Sequence, residues 1–297
     1  MLAPVTAQRI LRGVAATITV SLLDQDGEPT SVSGALTVDV TAADGTVVAT
    51  AGATVTDGGD PPIYSYSLAA QSQLGLLTFV WKDGGVARIT TQVDVVGGFF
   101  FTVAEARAFD TAITTDLAND AKVQAVRREV EDECEYITGA AWVPRYARER
   151  YNAQWGQSSL LLENWAPRTI RSVWAYDDAT TYTAFTTAEL AALTVTEYGL
   201  LQRRDGNVWS PCNPRGWEIE YEYGYDAPPP DLKHACLTRL RSRLYMENTG
   251  IPDRAISFVP AEGGNFTIAT PGRSGFDTGI PDVDAVYQRY SVKIPIS

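Results

Sequence analysis

The chain has 297 residues, 45% hydrophobic and 20% charged, which supplies apolar material for two domains with cores of their own and excludes a largely disordered chain. Its 24 basic against 36 acidic side chains leave a net charge of −12, which opposes an extended grip on nucleic acid, because neutralising phosphates needs clustered cations. Cys134, Cys212 and Cys236 are scattered and form no CxxC pair, and no run approaches the roughly 20 apolar residues of a membrane span, so a zinc site, a membrane anchor and a secretion leader are not expected.

In chain order, Ala16–Leu23 (ATITVSLL) alternates apolar and polar residues with the period of two of a half-buried strand. Asp24, Asp26 and Glu28 look like half a calcium loop. The remaining ligands and the bidentate glutamate of such a loop are missing, so the segment reads as a solvated turn. Leu36–Thr41 alternates in the same way, and Asp44-Gly45 favours a tight hairpin into Val47–Ala49. Further strands are expected at Ile63–Leu68, Gly75–Trp81 and Ala87–Val95, with Trp81 as a core aromatic. About seven short strands at regular turn spacing indicate an immunoglobulin-like sandwich over residues 1–98, without the antibody cysteine pair.

At Gly97-Gly98-Phe99-Phe100-Phe101 the strand pattern stops and a helical one begins. Thr102 and Glu105 have capping-box spacing for a helix to about Ile113. Asn119 can cap a second helix, with Val123, Val126, Val130, Cys134 and Ile137 on one face and Gly139 to end it. Its other face carries Arg127, Arg128, Glu131, Asp132 and Glu135, the pattern of a solvated or subunit-facing surface. Strands are then expected at Tyr146–Ala153, Ser159–Leu162, Thr169–Tyr176, Val208–Trp209 and Trp217–Tyr223 (WEIEYEY), forming a small sheet. Pro228-Pro229-Pro230 leads into a helix with Leu232, Cys236, Leu240 and Leu244 as its buried stripe and Arg239, Arg241 and Arg243 on its flanks. Residues 259–279 read as a long loop reaching a neighbouring subunit, Pro281–Tyr290 as a short helix, and Ser291–Ser297 (SVKIPIS) as an extended tail alternating Val292, Ile294 and Ile296. Such a tail, with Pro295 in it, can add as a strand to a partner's sheet edge or pack on its own domain. The expected class is therefore α+β: an all-β sandwich over 1–98, then a helical domain with a small sheet over 99–297.

The order FTVAEARAF, VEDECEYITGAAWVPR, a strand region, YEYGYDAPPPDLKHACLTRLRSRLY and the ending TGIPDVDAVYQRY resembles the head-to-tail connector (adaptor) family of long-tailed bacteriophages, over roughly residues 101–297. The N-terminal sandwich is an addition that small members of that family lack. The resemblance implies a virion structural protein, assembled in the host cytoplasm, that forms a homo-oligomeric ring of about twelve copies. That ring would dock under the portal protein, meet a downstream neck or tail protein, and leave a channel for DNA. The tail residues Val292, Ile294, Pro295 and Ile296 would dock on the portal or on a neighbouring copy, and Glu129, Glu131, Asp132, Glu133 and Glu135 are candidates to face the channel. Like-charged walls let DNA slide, because clustered cations would hold its phosphates.

No enzyme is expected. His234 is the single histidine and has no nucleophile elbow near it in sequence; no phosphate loop, HExxH or strand–GxGxxG–helix occurs, and no cofactor or metal is implied. Two other readings stay open: a carbohydrate-binding or adhesion protein, in which exposed tryptophans would stack sugars, and a glycoside hydrolase, which needs only two carboxylates. Trp142, Trp155, Trp165, Trp174, Trp209 and Trp217 fit core packing or subunit contact equally well.

Overall fold

A computed structural model describes residues 5–24, 26, 28–32, 36–54, 63–176, 181–210, 216–246, 257–258, 266–267 and 278–292. The chain divides into two compact units, each built from two separate segments: 1–98 with 144–224, and 99–143 with 225–297. Residues 144–224 group with 1–98, and the helical unit is formed by the segments on either side of them.

In the first unit, β1 (Val5–Leu11), β2 (Ala16–Val20), β3 (Leu36–Ala42), β4 (Val47–Thr54), β5 (Tyr64–Leu68), β6 (Gly75–Asp83) and β7 (Val86–Val96) form two sheets, ordered β1-β7-β6-β3-β4 and β2-β5. Period-two alternation puts Leu36, Val38 and Val40 of β3 and Leu77, Phe79 and Trp81 of β6 on the buried side. Ile18, Tyr64 and Val93 complete this core. Trp81 is fully buried, and its indole N–H donates to Thr91 Oγ1 at 3.1 Å. Strand β1 escapes the sequence pattern: it pairs parallel to β7, with a register shift between Thr6 and Gln8, and shows no apolar alternation.

The rest of this unit comprises β8 (Arg145–Tyr151), β9 (Ser159–Leu161), β10 (Pro167–Tyr176), β11 (Tyr182–Ala184), β12 (Leu193–Val195), β13 (Leu200–Arg203) and β14 (Trp217–Tyr223). They make a four-stranded sheet, β11-β10-β14-β8, and a three-stranded sheet, β12-β13-β9, around Leu160, Leu162, Val173, Leu201, Trp209, Trp217, Ile219 and Tyr221. The expected strand at Val208–Trp209 is only an isolated bridge, Gln157 to Trp209. Gly97 lies so close to Pro144 that a Cβ there would meet the proline ring at 2.5 Å, and its N–H donates to the Pro144 carbonyl.

The second unit is helical: α1 (Val103–Phe109), α2 (Asp120–Thr138), α4 (Pro230–Met246) and α5 (Pro281–Arg289); α3 (Thr187–Ala191) belongs to the first unit. Helix α1 starts with the expected capping box, Thr102 with Glu105, but ends at Phe109 and not near Ile113. Asn119 caps α2, accepting from the Lys122 N–H, and Gly139 ends it in the left-handed conformation at φ 71°. The core joins Val123, Val126, Val130 and Cys134 of α2 to Leu232, Cys236, Leu240 and Leu244 of α4 and Val283 and Tyr287 of α5. Of the expected 259–279 loop, 259–265 and 268–277 lie outside the described residues. The described pieces include a short pairing of β15 (Ser257–Phe258) with β16 (Phe266–Thr267).

Candidate functional site

In the helical unit, charged side chains tie the helices to one another. Glu133 on α2 accepts from Nε and Nη2 of Arg239 on α4, both at 2.9 Å, a fork-to-fork pair. Arg243, one turn on, bridges Glu129 at 2.8 Å and Glu133 at 3.3 Å. Arg241 points the other way and meets Asp110 at 2.8 Å, beside the Tyr245 hydroxyl. Lys233 reaches Glu105 at 2.6 Å; its hydrogen bond, reinforced by the Thr102 amide, holds the Glu105 carboxyl below its usual range. The three arginines on the flanks of α4 are thus helix-to-helix ties.

The five acidic candidates separate. Glu129 and Asp132 keep 58% and 47% of their side chains exposed. Glu133 is mostly covered by the α4 arginines, and Glu135 is half-buried. Glu131 is fully buried and corrects the expectation: its carboxylate accepts the Phe100 N–H at 2.9 Å and lies 3.9 Å from Arg127. Arg127 in turn covers the Phe99 ring at 3.6 Å and donates to the Phe101 carbonyl. Arg127, Glu131, Cys134 and Thr138 follow one another at steps of four, three and four, so the buried stripe of α2 is wider than its apolar residues indicate. The Phe99-Phe100-Phe101 backbone needs polar partners as it turns inward, and this pair provides them.

The C-terminal segment leaves from a defined anchor. Gly139 ends α2 and exposes the Thr138 carbonyl, which accepts the Val292 N–H at 2.8 Å. The Thr138 hydroxyl accepts from the Trp142 indole at 3.0 Å, and Trp142 is stacked on Tyr225 and edge-on to Tyr290. Val292 packs on the helical core. Ile294, Pro295 and Ile296 lie outside the described residues. At the other end of α5, buried Asp284 accepts the Thr278 N–H at 2.8 Å and its hydroxyl at 2.7 Å, which fixes how the chain arrives. Asp231 at the start of α4 is pulled down by the Tyr290 hydroxyl, against some desolvation, and also takes Arg289 at 2.9 Å.

In the first unit, β14 splits its residues by parity. Trp217, Ile219 and Tyr221 are buried in the core, while Glu218, Glu220 and Glu222 point the other way. Glu218 pairs with both Arg148 and Arg150 of β8; Glu222 pairs with Arg171 of β10 and lies 3.7 Å from Arg12. Arg148 also donates to the Ala43 carbonyl, and Arg171 to the Leu74 carbonyl, both in the sandwich. This charged ladder joins the two halves of the unit. Sequence reading passed over it, although the alternating Arg148-x-Arg150 and Glu218-x-Glu220-x-Glu222 were there to be matched.

Among the described residues, His234 and the buried cysteines do not come together. His234 is exposed and edge-on to Phe109, whereas Cys236 is buried with its thiol 3.5 Å from the Tyr287 hydroxyl. Burial pushes the Cys134 thiol and the Tyr287 hydroxyl far up, so neither ionises in the neutral range. Among the described residues no trio of His, Cys, Asp or Glu is placed to hold a metal, and no helix is long and apolar enough to cross a membrane. Trp81, Trp142, Trp209 and Trp217 are buried, while Trp155 is 85% exposed.

No protein-family model matches the chain, and no curated protein matches it. Among solved structures, it is similar to a chain in the neck of an empty GTA particle, with 17% identity over 67% of this chain and 93% of that one and a TM-score of 0.44. A chain in the virion of a native gene transfer agent particle matches at 17% identity over the same shares, with a TM-score of 0.45. The Lin-41 filamin domain matches 31% of this chain and 86% of its own at 25% identity, with a TM-score of 0.24.

Proposed function

We propose that this chain is a structural, non-catalytic neck protein of a tailed-phage-type particle. In this reading it forms a ring of about twelve copies that joins the portal to the downstream neck or tail protein and leaves a channel for DNA. The observation that carries it is the helical unit. The helical parts of the connector-like order, within 99–143 and 225–297, fold as α1, α2, α4 and α5 around one core, and Val292 is anchored at the end of α2. Of the five acidic candidates for the channel wall, Glu129 and Asp132 keep the most exposed side chains and are the ones this reading puts there first. In this reading Val292, Ile294, Pro295 and Ile296 would dock on the portal or on a neighbouring copy.

The measurement is native mass of the full chain, alone and with the portal of the same particle. A complex of about twelve copies is expected in at least one of the two conditions. A monomer in both overturns the reading.

A further inference from the structure

The three-stranded sheet ends at β9, and among the described residues no strand pairs with its outer side. Hydrogen-bond parity shows what that side offers. The Leu162 N–H donates to the Gly199 carbonyl, so the even residues Leu160 and Leu162 turn their peptide groups to β13. Ser159, Leu161 and Glu163 turn theirs outward. Two of these positions are already engaged: Gln157 Nε2 donates to the Ser159 carbonyl at 2.6 Å, and the Glu163 N–H is taken by the Tyr151 hydroxyl at 3.1 Å. Leu161, between them, is left presenting its N–H and C=O to the outside.

The side chains beside this gap are apolar. Leu160 and Leu162 are buried, while Leu161 is 60% exposed and faces Leu200 across the ladder. Tyr198, 64% exposed, meets Trp165 edge-on at 5.3 Å between ring centres. Ala166, next to Trp165, has φ 52°, a conformation that is costly for a residue with a Cβ. It is held there by its N–H to the Glu197 carbonyl and by the Gly224 N–H to its own carbonyl.

We propose that the outer edge of β9 at Leu161 is a strand-docking site, and that its occupant is the C-terminal segment Lys293–Ser297 of a second copy. This rests on the ring reading above. The fit is one of parity. A strand added here turns the peptide groups of alternate residues toward the edge and sets the side chains of those residues on the face of Leu161 and Leu200. In the segment Lys-Ile-Pro-Ile-Ser, Ile294 and Ile296 take those positions and supply apolar side chains. Pro295 falls between them, where its missing N–H would have pointed away from β9, so it loses no hydrogen bond and blocks a further strand from adding outside.

The test mixes two full-length proteins, one Leu161→Cys and one Ile294→Cys with an affinity tag, both carrying Cys212→Ser, and treats the assembled ring with a short bismaleimide. A covalent pair containing one copy of each is expected as the main product, at least several-fold above either variant alone. Native mass is read on the same sample. A ring without this product overturns the docking proposal and leaves the ring standing; a monomer overturns the ring reading and the docking with it. As a second arm, Leu161→Lys, at an exposed position, should lower the crosslink yield of a neighbouring Glu163→Cys with Ile294→Cys by at least threefold while the circular dichroism stays unchanged; an unaltered yield counts against the site.

Discussion

Both units of this chain are closed from two distant segments, and they differ in how much of the closure is apolar core and how much is directional polar contact. In the helical unit the joint between 99–143 and 225–297 is a buried apolar core, Val123, Val130 and Cys134 against Leu232, Cys236, Leu240 and Tyr287, rimmed by the ion pairs of Arg239, Arg241, Arg243 and Lys233. In the β unit the joint between 1–98 and 144–224 includes Arg148 and Arg171, held in place by Glu218 and Glu222 and donating to the Ala43 and Leu74 carbonyls, and Arg12 beside Glu222. An apolar joint is non-directional and insensitive to salt, whereas a partly exposed ionic one fixes geometry and weakens with screening and acid. The sandwich is therefore positioned by directional bonds and is not a loosely tethered decoration.

The largest expected effect tests the apolar joint. Leu240 is fully buried between helices, and Leu240→Ala should destabilise the helical unit by about 2–5 kcal/mol through lost burial and a residual cavity. Hydrogen exchange read by mass spectrometry should show the loss in α2, α4 and α5, with β3, β6 and β14 unaffected. Equal loss in both units would show that the two joints are not independent.

A smaller effect is expected at the ionic joint. Burial alone would raise the Glu218 carboxyl, and hydrogen bonds from Arg150 and Arg148 outweigh it, so the folded value lies below the ordinary one. A lowered folded value means the contribution is complete above the unfolded glutamate range and fades as the carboxylate is protonated in the folded state. Glu218→Gln should therefore cost about 1–3 kcal/mol at pH 7, discounted for the exposure of Arg150, with the difference from the native chain shrinking below about pH 4.3. It should shrink in high salt as well. Chemical denaturation across pH and salt checks this; a difference constant down to pH 3 would assign Glu218 a packing role only.

Much of this was legible in the sequence, for identifiable reasons. The alternation of LTVDVT and WEIEYEY and the capping signals at Thr102 and Asn119 act within a few residues, and the structure follows them. What stayed hidden depends on distant partners. Strand β1 is defined by its parallel neighbour β7, and the burial of Glu131 by the Phe100 amide on another segment. The grouping of 144–224 with the sandwich involves contacts such as Arg148 to Ala43 and Arg171 to Leu74, whose partners are 105 and 97 residues apart. Strands β11, β12 and β13 are three or four residues long, too short for a period to show.

One local signal occurs twice and gives the finest comparison between the units. Thr186 and Glu189 form the same capping box at α3 in the β unit as Thr102 and Glu105 form at α1 in the helical one. The chemistry is identical and the surroundings differ. Helix α1 buries Ala106 and is tied to α4 through Glu105 and Lys233, so losing its cap disturbs a packed element; α3 is five residues long and buries none. Thr102→Ala should therefore cost about 1 kcal/mol of unit stability, and Thr186→Ala only a few tenths, seen as faster exchange within α3 alone. Equal costs at the two caps would mean that α3 is coupled to the core through Arg203, which lies 3.9 Å from Glu189 and over the Phe185 ring, and that even the short helix is part of the closed β unit.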